Sequence, residues 1–261
     1  MNATPPMPLD VRLMQLSTAL LLAVFALLSA TAAGRWVARW SVFEIEKITV
    51  TGDTHYNNSL TLRANVAPRI SGTFTTVDLG QVRNAFESAP WVRRAVVHRD
   101  FPNRLRVVLQ EHQAAALWGG EGEQRLINSF GEVFEANVDE VDQDSLPTLS
   151  GPDGQAAEVL AMYNVLAPQF AELQIQLEAL KLSGGGSWTA RLASDAVIEL
   201  GRGSTDEVLA RVHRFLKTLT QVVTRYGRGP QALESADLRH ENGYAIRLRG
   251  VTTQRADEVK N

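Results

Sequence analysis

Few residues in this sequence have the types and spacing to do chemistry. The five histidines, His55, His98, His112, His213 and His240, are dispersed, with no pair at helical or zinc-site spacing. Leu200-Gly201-Arg202-Gly203-Ser204 sets two glycines and a hydroxyl ahead of a helical pattern, so its N–H groups could cradle an anion. The same residues make an ordinary capped turn, because Ser204 and Glu207 have the capping-box spacing, and that is the reading adopted. Asp195, Glu199 and Asp237 have no visible partner for acid–base work, and there is no G-x-S-x-G elbow and no P-loop. His213, between Arg211 and Arg214, reads as a surface or boundary residue, and Trp91, Trp118 and Trp188 as core fillers. The chain is therefore read as a non-enzyme, with no catalytic residue, cofactor or metal.

The elements that carry these residues start with an uncharged apolar run, Leu13 to Ala33, bounded by Arg12 and by Gly34-Arg35. At ~1.5 Å per residue, about 21 residues span roughly 30 Å, the thickness of a bilayer's hydrocarbon core. Trp36 and Trp40 stand at its distal edge, where amphipathic aromatics meet headgroups. The run reads as a retained anchor; the alternative is a cleaved secretory signal, with Ala30-Thr31-Ala32 as the cleavage site. The flanking charges, Arg12 against Arg35 and Arg39, do not decide orientation. A net charge of −3 with no basic stripe argues against nucleic-acid binding. The absence of cysteine fits a cell-envelope protein and a cytosolic one equally.

Beyond the run, Phe43 to Thr51 alternates as a strand ending at Gly52-Asp53. Asn57 to Val66 reads as a helix stopped near Pro68, and Asp78 to Ser88 as a second, capped by Asp78 and closed by Pro90. Trp91 to Arg99 and Leu105 to Glu111 are strands joined by the turn cluster Asp100-Phe101-Pro102-Asn103. Short strands follow at Ala115 to Trp118, Gln124 to Ile127 and Glu132 to Glu135, then a rigid connector from Leu146 to Pro152. A helix is expected over Asp153 to Leu173, with Val159, Tyr163, Leu166 and Phe170 on one face. Strands are expected at Gln176 to Leu182, Trp188 to Leu192 and Ala196 to Leu200. Behind the capping box, Val208, Val212, Phe215, Leu219 and Val222 mark another helix, ended by Gly227-Arg228-Gly229-Pro230. Ala232 to Leu238 and Tyr244 to Arg249 form a last hairpin around Asn242-Gly243.

Several short pieces, in order behind one anchor, resemble the FtsQ/DivIB family of bacterial cell-division proteins. They are Val50-Thr51-Gly52, Pro90-Trp91-Val92, Phe101-Pro102-x-x-Leu105, Leu126-Ile127-Asn128 with Gly131-x-Val133-Phe134, Leu146-Pro147-x-Leu149-x-Gly151-Pro152, Leu200-Gly201-Arg202 and Asp237-Leu238-Arg239. The resemblance implies an α+β chain divided into a cytoplasmic tail (1–12), a transmembrane helix (13–36), a β-α-α-β-β POTRA domain (43–113) and a C-terminal β domain with flanking helices (114–250). The polar end, which has no apolar pattern, reads as a disordered tail (251–261). The resemblance also implies a single-pass type II protein of the inner membrane, at the division septum, with both domains periplasmic. The implied role is that of a non-catalytic scaffold that binds FtsB and FtsL and helps bring in FtsW and FtsI, with no nucleic acid and no small-molecule substrate. The weighed alternatives are a POTRA-bearing envelope chaperone or assembly factor, and an envelope enzyme with an unrecognised site.

In this family FtsB pairs with an exposed last strand. Carried over, the partner-binding residues are His240, Asn242, Gly243, Tyr244, Ala245, Ile246, Arg247, Leu248 and Arg249. The family has an aromatic at the position of His240; here Tyr244 is the nearby aromatic. Tyr244, Ile246 and Leu248 share one face of this strand, and Ala245, Arg247 and Arg249 the other. Strand addition uses an edge whereas a core uses a face, so the two duties are compatible. Arg247 and Arg249 are the expected contacts for acidic residues of a partner.

Overall fold

The computed structural model describes residues 9–37, 44–58, 62, 66–120, 125–240 and 243–251. The first element is α1 (Leu9–Val37). Within it Leu13–Trp36 is long and apolar enough to cross a membrane, and no part of that stretch is buried against protein. A helix satisfies its backbone polar groups internally, as lipid requires. The hydroxyls of Ser17, Thr18 and Thr31 donate to carbonyls of the preceding turn, so these side chains bring no orphaned donor into the apolar run.

The first compact unit is built from β1 (Lys47–Gly52), α2 (Leu79–Glu87), β2 (Val92–Asp100) and β3 (Arg104–Glu111). The sheet order is β1-β3-β2, with β1 parallel and β2 antiparallel to β3. Asp78 caps α2 as its sequence position predicts, accepting from the N–H groups of Gly80 (2.7 Å) and Gln81 (3.4 Å). Val82, Ala85 and Phe86 of α2 are buried with Ala95, Leu105, Val107 and Leu109 of the sheet. The expected helix over Asn57 to Val66 falls mainly outside the described residues; Ala67–Arg69 is a short 3-10 turn with Pro68 in its first turn. At the end of β3 the buried Glu111 carboxylate accepts from the backbone N–H groups of His55 (2.8 Å), Tyr56 (3.1 Å) and Asn57 (2.8 Å), and from Asn57 Nδ2 (2.8 Å). Tyr56 stacks on Trp91, ring centroids 3.8 Å apart.

The second unit is one nine-stranded sheet. Its strands are β4 (Ala114–Trp118), β5 (Arg125–Asn128), β6 (Val133–Phe134), β7 (Thr148–Ser150), β8 (Leu177–Leu182), β9 (Ser187–Leu192), β10 (Val197–Arg202), β11 (Leu233–Asp237) and β12 (Ala245–Leu248). The order across the sheet is β12-β11-β10-β9-β8-β7-β4-β5-β6. Helices α3 (Ala156–Ala171) and α4 (Thr205–Arg225) are the crossovers of two parallel pairs, β7–β8 and β10–β11. Val159, Leu166 and Phe170 of α3 and Val208, Val212, Phe215 and Leu219 of α4 meet Leu180, Ala190 and Ile198 of the sheet in a single core. The capping box is formed: Ser204 Oγ accepts from Glu207 N–H at 3.4 Å and Glu207 Oε2 accepts from Ser204 N–H at 2.8 Å.

The structure corrects some local expectations. The connector from Leu146 to Pro152 contains β7, which pairs in parallel with β4 on one side and β8 on the other, with Leu149 fully buried. Three residues between prolines have no period to read, and only neighbouring strands define them. Helix α3 begins at Ala156, because Pro152 to Gln155 form a turn first. Val223 rather than Val222 enters the core of α4. Of the strand expected from Gln124, the described part begins at Arg125. The turn after β5 is organised by the buried Asn128, whose Oδ1 accepts from the N–H groups of Phe130 (2.9 Å) and Glu132 (3.0 Å) while its Nδ2 donates to Glu132 Oε2 (2.6 Å).

Candidate functional site

The last strand lies at one end of the strand order, so among the described residues no strand covers its outer side. It pairs antiparallel with β11 through Ala236↔Ile246 and Asp237↔Ala245, with a bulge between Leu233 and Ser235. The N–H of Arg249 donates to the Ala232 carbonyl at 2.8 Å. Backbone groups alternate in direction along an antiparallel strand, so those of Arg247 and Ala245 also point toward β11. Those of Ile246 and Leu248 therefore point to the open side. The Leu248 carbonyl accepts from Val251 N–H at 3.3 Å, which leaves the Ile246 N–H and C=O and the Leu248 N–H as the strand-pairing groups.

Side chains fix this strand to the domain. The Tyr244 hydroxyl and Thr218 Oγ1 are 2.7 Å apart, and the Tyr244 ring stands edge-on to Phe215, centroids 5.1 Å apart. Leu248 is buried, while Tyr244, Ile246 and Gly243 are half-buried. Ala245, Arg247, Arg249 and His240 are exposed. Arg247 lies 3.7 Å from Glu234, and the Arg249 guanidinium donates to the Ser194 carbonyl. Asn242 lies outside the described residues.

A basic cavity of about 470 Å³ opens among Ser187, Gly201, Arg202, Arg211 and Arg239. Two stretches far apart in sequence, Leu200-Gly201-Arg202 and Asp237-Leu238-Arg239, meet there because β10 and β11 are parallel neighbours. Gly201 sits at a bulge with φ of 81°, and a Cβ on it would come within 3.0 Å of Arg239 Cγ, so glycine is what lets that side chain lie across the strand. Arg239 grips Asp237 with Nε to Oδ1 at 2.9 Å and Nη2 to Oδ2 at 2.6 Å. That hydrogen bond, with the guanidinium charge, takes the Asp237 carboxyl down to about 2. Arg211 donates to the carbonyls of Leu200 (3.0 Å) and Arg202 (2.6 Å), which fixes it at the cavity wall. At the glycine-rich turn the Glu207 carboxylate accepts from the Ser204 N–H at the N-terminus of α4, the capped turn that the sequence spacing predicts. Sequence reading noted both arginine-bearing stretches but had no way to bring them together, since their adjacency depends on the pairing of β10 with β11.

Comparison with known proteins matches both units. A family model described as POTRA domain, FtsQ-type, covers residues 43–112, and one described as cell division protein FtsQ/DivIB, C-terminal, covers residues 116–239. Similar chains include the cell division protein FtsQ of Thiomonas arsenitoxydans, 36% identical over 97% of this chain and 93% of the relative. The FtsQ of Burkholderia pseudomallei is 38% identical over 93% of this chain and 94% of its own. That of Bordetella pertussis is 36% identical over 94% and 93%. The paired strand motifs, the order of the two units behind an apolar helix and these identities agree: the chain belongs to the FtsQ/DivIB family of cell-division proteins.

Proposed function

We propose that the chain is a non-catalytic adaptor of the divisome that receives FtsB, in complex with FtsL, on the open edge of β12. The observation that carries this reading is the outward direction of the Ile246 and Leu248 backbone groups on a strand with no outer neighbour among the described residues. A partner segment adding there gains main-chain hydrogen bonds, while Ala245 and Arg247 on the exposed face give it side-chain contacts. The cavity of Arg202, Arg211 and Arg239 extends the site with a place for carboxylates of the same partner. In this reading residues 1–12 are the cytoplasmic tail, 13–36 the membrane span, 43–113 the POTRA domain and 114–250 the C-terminal domain; the tail expected over 251–261 lies, after Val251, outside the described residues. The type II orientation puts both domains in the periplasm, at the septum, where the adaptor links the FtsB–FtsL pair to FtsW and FtsI and so to septal peptidoglycan synthesis. The test is co-purification of the detergent-solubilised full chain with FtsB–FtsL, wild type against Ile246→Pro and Arg239→Ala. Loss of the complex in folded variants supports the edge; undiminished recovery from both removes it.

A further inference from the structure

The outer face of the first unit's sheet has no role in the reading above. The three strands put Lys47, Thr49 and Thr51 of β1, Arg104, Arg106 and Val108 of β3, and Arg94, Val96, His98 and Asp100 of β2 on the face opposite α2. Register aligns them in rows: Lys47 beside Arg104 beside Asp100, then Thr49, Arg106 and His98, then Thr51, Val108 and Val96. The face thus holds the cations Lys47, Arg94, Arg104 and Arg106 against one carboxylate, Asp100, on a chain whose net charge is −3. Asp100 bridges Arg106 at 2.9 Å, and Glu46 at the border holds Asn103 Nδ2 at 2.9 Å. The centre is apolar, with Val96 and Val108 paired across the strands and both exposed.

One end of this face is tied to the membrane span by covalent geometry. Ten residue steps separate Val37, the end of α1, from Lys47, so Lys47 lies at most roughly 35 Å from the helix end. The β2–β3 turn sits at that same end, because Glu46 N–H donates to the Asn103 carbonyl at 3.0 Å. At its tip Phe101 is 81% exposed, with its ring edge-on to Phe74, centroids 6.3 Å apart.

We propose that this sheet face is a docking surface for the anionic lipid headgroups of the membrane that α1 crosses. Charge complementarity and the short tether select this occupant: a surface of phosphates is within reach, and the cations lie in rows across the face. The proposal requires α1 to stay in the bilayer, but it does not depend on the partner edge of β12. Each cation near an anionic surface favours the bound state by about fivefold, so neutralising three lowers docking by roughly a hundredfold.

The chain has no cysteine, so a single label can be placed at will. Full-length Thr49→Cys, with a donor dye on the face, is reconstituted in nanodiscs carrying acceptor-labelled headgroups, either purely zwitterionic or containing phosphatidylglycerol. Gln81→Cys on α2 reports the opposite side. Energy transfer from position 49 is expected to rise with phosphatidylglycerol, to fall back in high salt, and to be lost in Lys47→Gln/Arg94→Gln/Arg104→Gln, whose exposed positions leave the fold intact by circular dichroism. Position 81 should show no such gain. Equal transfer in the two lipids, an equal gain at position 81, or full retention in the triple variant overturns the proposal. FtsB–FtsL co-purification of the triple variant, expected to be unchanged, reads the partner edge independently.

Discussion

Proline substitution on β12 separates folding from partner binding, because neighbouring residues send their N–H groups in opposite directions. In Ile246→Pro the lost N–H is one that faces the open side, so no bond to β11 is broken. The half-buried Ile246 loses part of its packing, at about 1 kcal/mol. Arg247→Pro instead removes an N–H directed at β11, opposite Ser235, and costs the domain about 1–3 kcal/mol from the broken ladder alone. A partner strand on the open side has the Ile246 N–H and C=O and the Leu248 N–H to bond, each bond contributing about 0.5–1.5 kcal/mol net. Proline at 246 removes one of these and crowds its neighbour, so the expected loss is about 2 kcal/mol, roughly thirtyfold in Kd. The assay is titration of immobilised FtsB–FtsL with the full chain in detergent, alongside thermal melting by far-ultraviolet circular dichroism. Ile246→Pro should melt within a few degrees of wild type yet bind far more weakly, while Arg247→Pro should lower the melting temperature more. Wild-type affinity in a folded Ile246→Pro protein refutes the edge. The opposite melting order refutes the assigned direction of the N–H groups.

Other residues carry their own tests. Glu111→Ala leaves the N–H groups of His55, Tyr56 and Asn57 without their acceptor and should destabilise the first unit by about 2–5 kcal/mol; denaturant midpoints equal to wild type would contradict this. Gly131→Ala combines a φ of 81° with a Cβ placed 2.7 Å from Ala157 Cα, so a loss of about 2 kcal/mol or more is expected, read as faster hydrogen exchange at the β5–β6 turn. Asp237 titrates near 2 when folded against an ordinary 3.8, so its grip on Arg239 contributes fully above about pH 4 and is lost as pH falls toward 2. The gap in stability between wild type and Asp237→Asn should narrow across that window, and a constant gap would show that the contact is immaterial. Arg202→Ala should weaken FtsB–FtsL binding more at low salt than at high salt; a uniform change would argue against a charged contact in the cavity.

The parts legible in the sequence were those with a strong local signal. The Asp78 cap, the Ser204–Glu207 capping box and the apolar stripe through Val208, Val212, Phe215 and Leu219 each state a helix within one or two turns. The alternation of Leu105, Val107 and Leu109 states a strand and its buried face in the same way. Illegible features depend on neighbours distant in the chain. Thr148 to Ser150 become a strand only between β4 and β8. Glu111 looks like one more surface carboxylate until the 55–57 backbone turns onto it. The same limit applied at the candidate site. The last strand was readable from the alternation of Tyr244 to Arg249, whereas the convergence of Arg202, Arg211 and Arg239 needed the β10–β11 pairing.

An open edge is a hazard as well as a site, since any extended segment can add to it, including a second copy of the same strand. The length and charge of β12 bear on this. It has only four residues, so a self-pair gains few main-chain bonds. Arg247 stands on its exposed face with Arg249 just beyond, so two copies in register would bring like charges together. The arginine cavity adds to the same bias. A segment carrying carboxylates meets no such repulsion and finds the strand already held by Tyr244 on Thr218 and by Arg249 on Ala232. Little ordering of the receiving strand is then required, which favours tight binding from a short interface. In the proposed reading, selectivity at this edge therefore rests less on the apolar residues, which are turned to the core, than on cations that discourage self-association and suit an acidic partner.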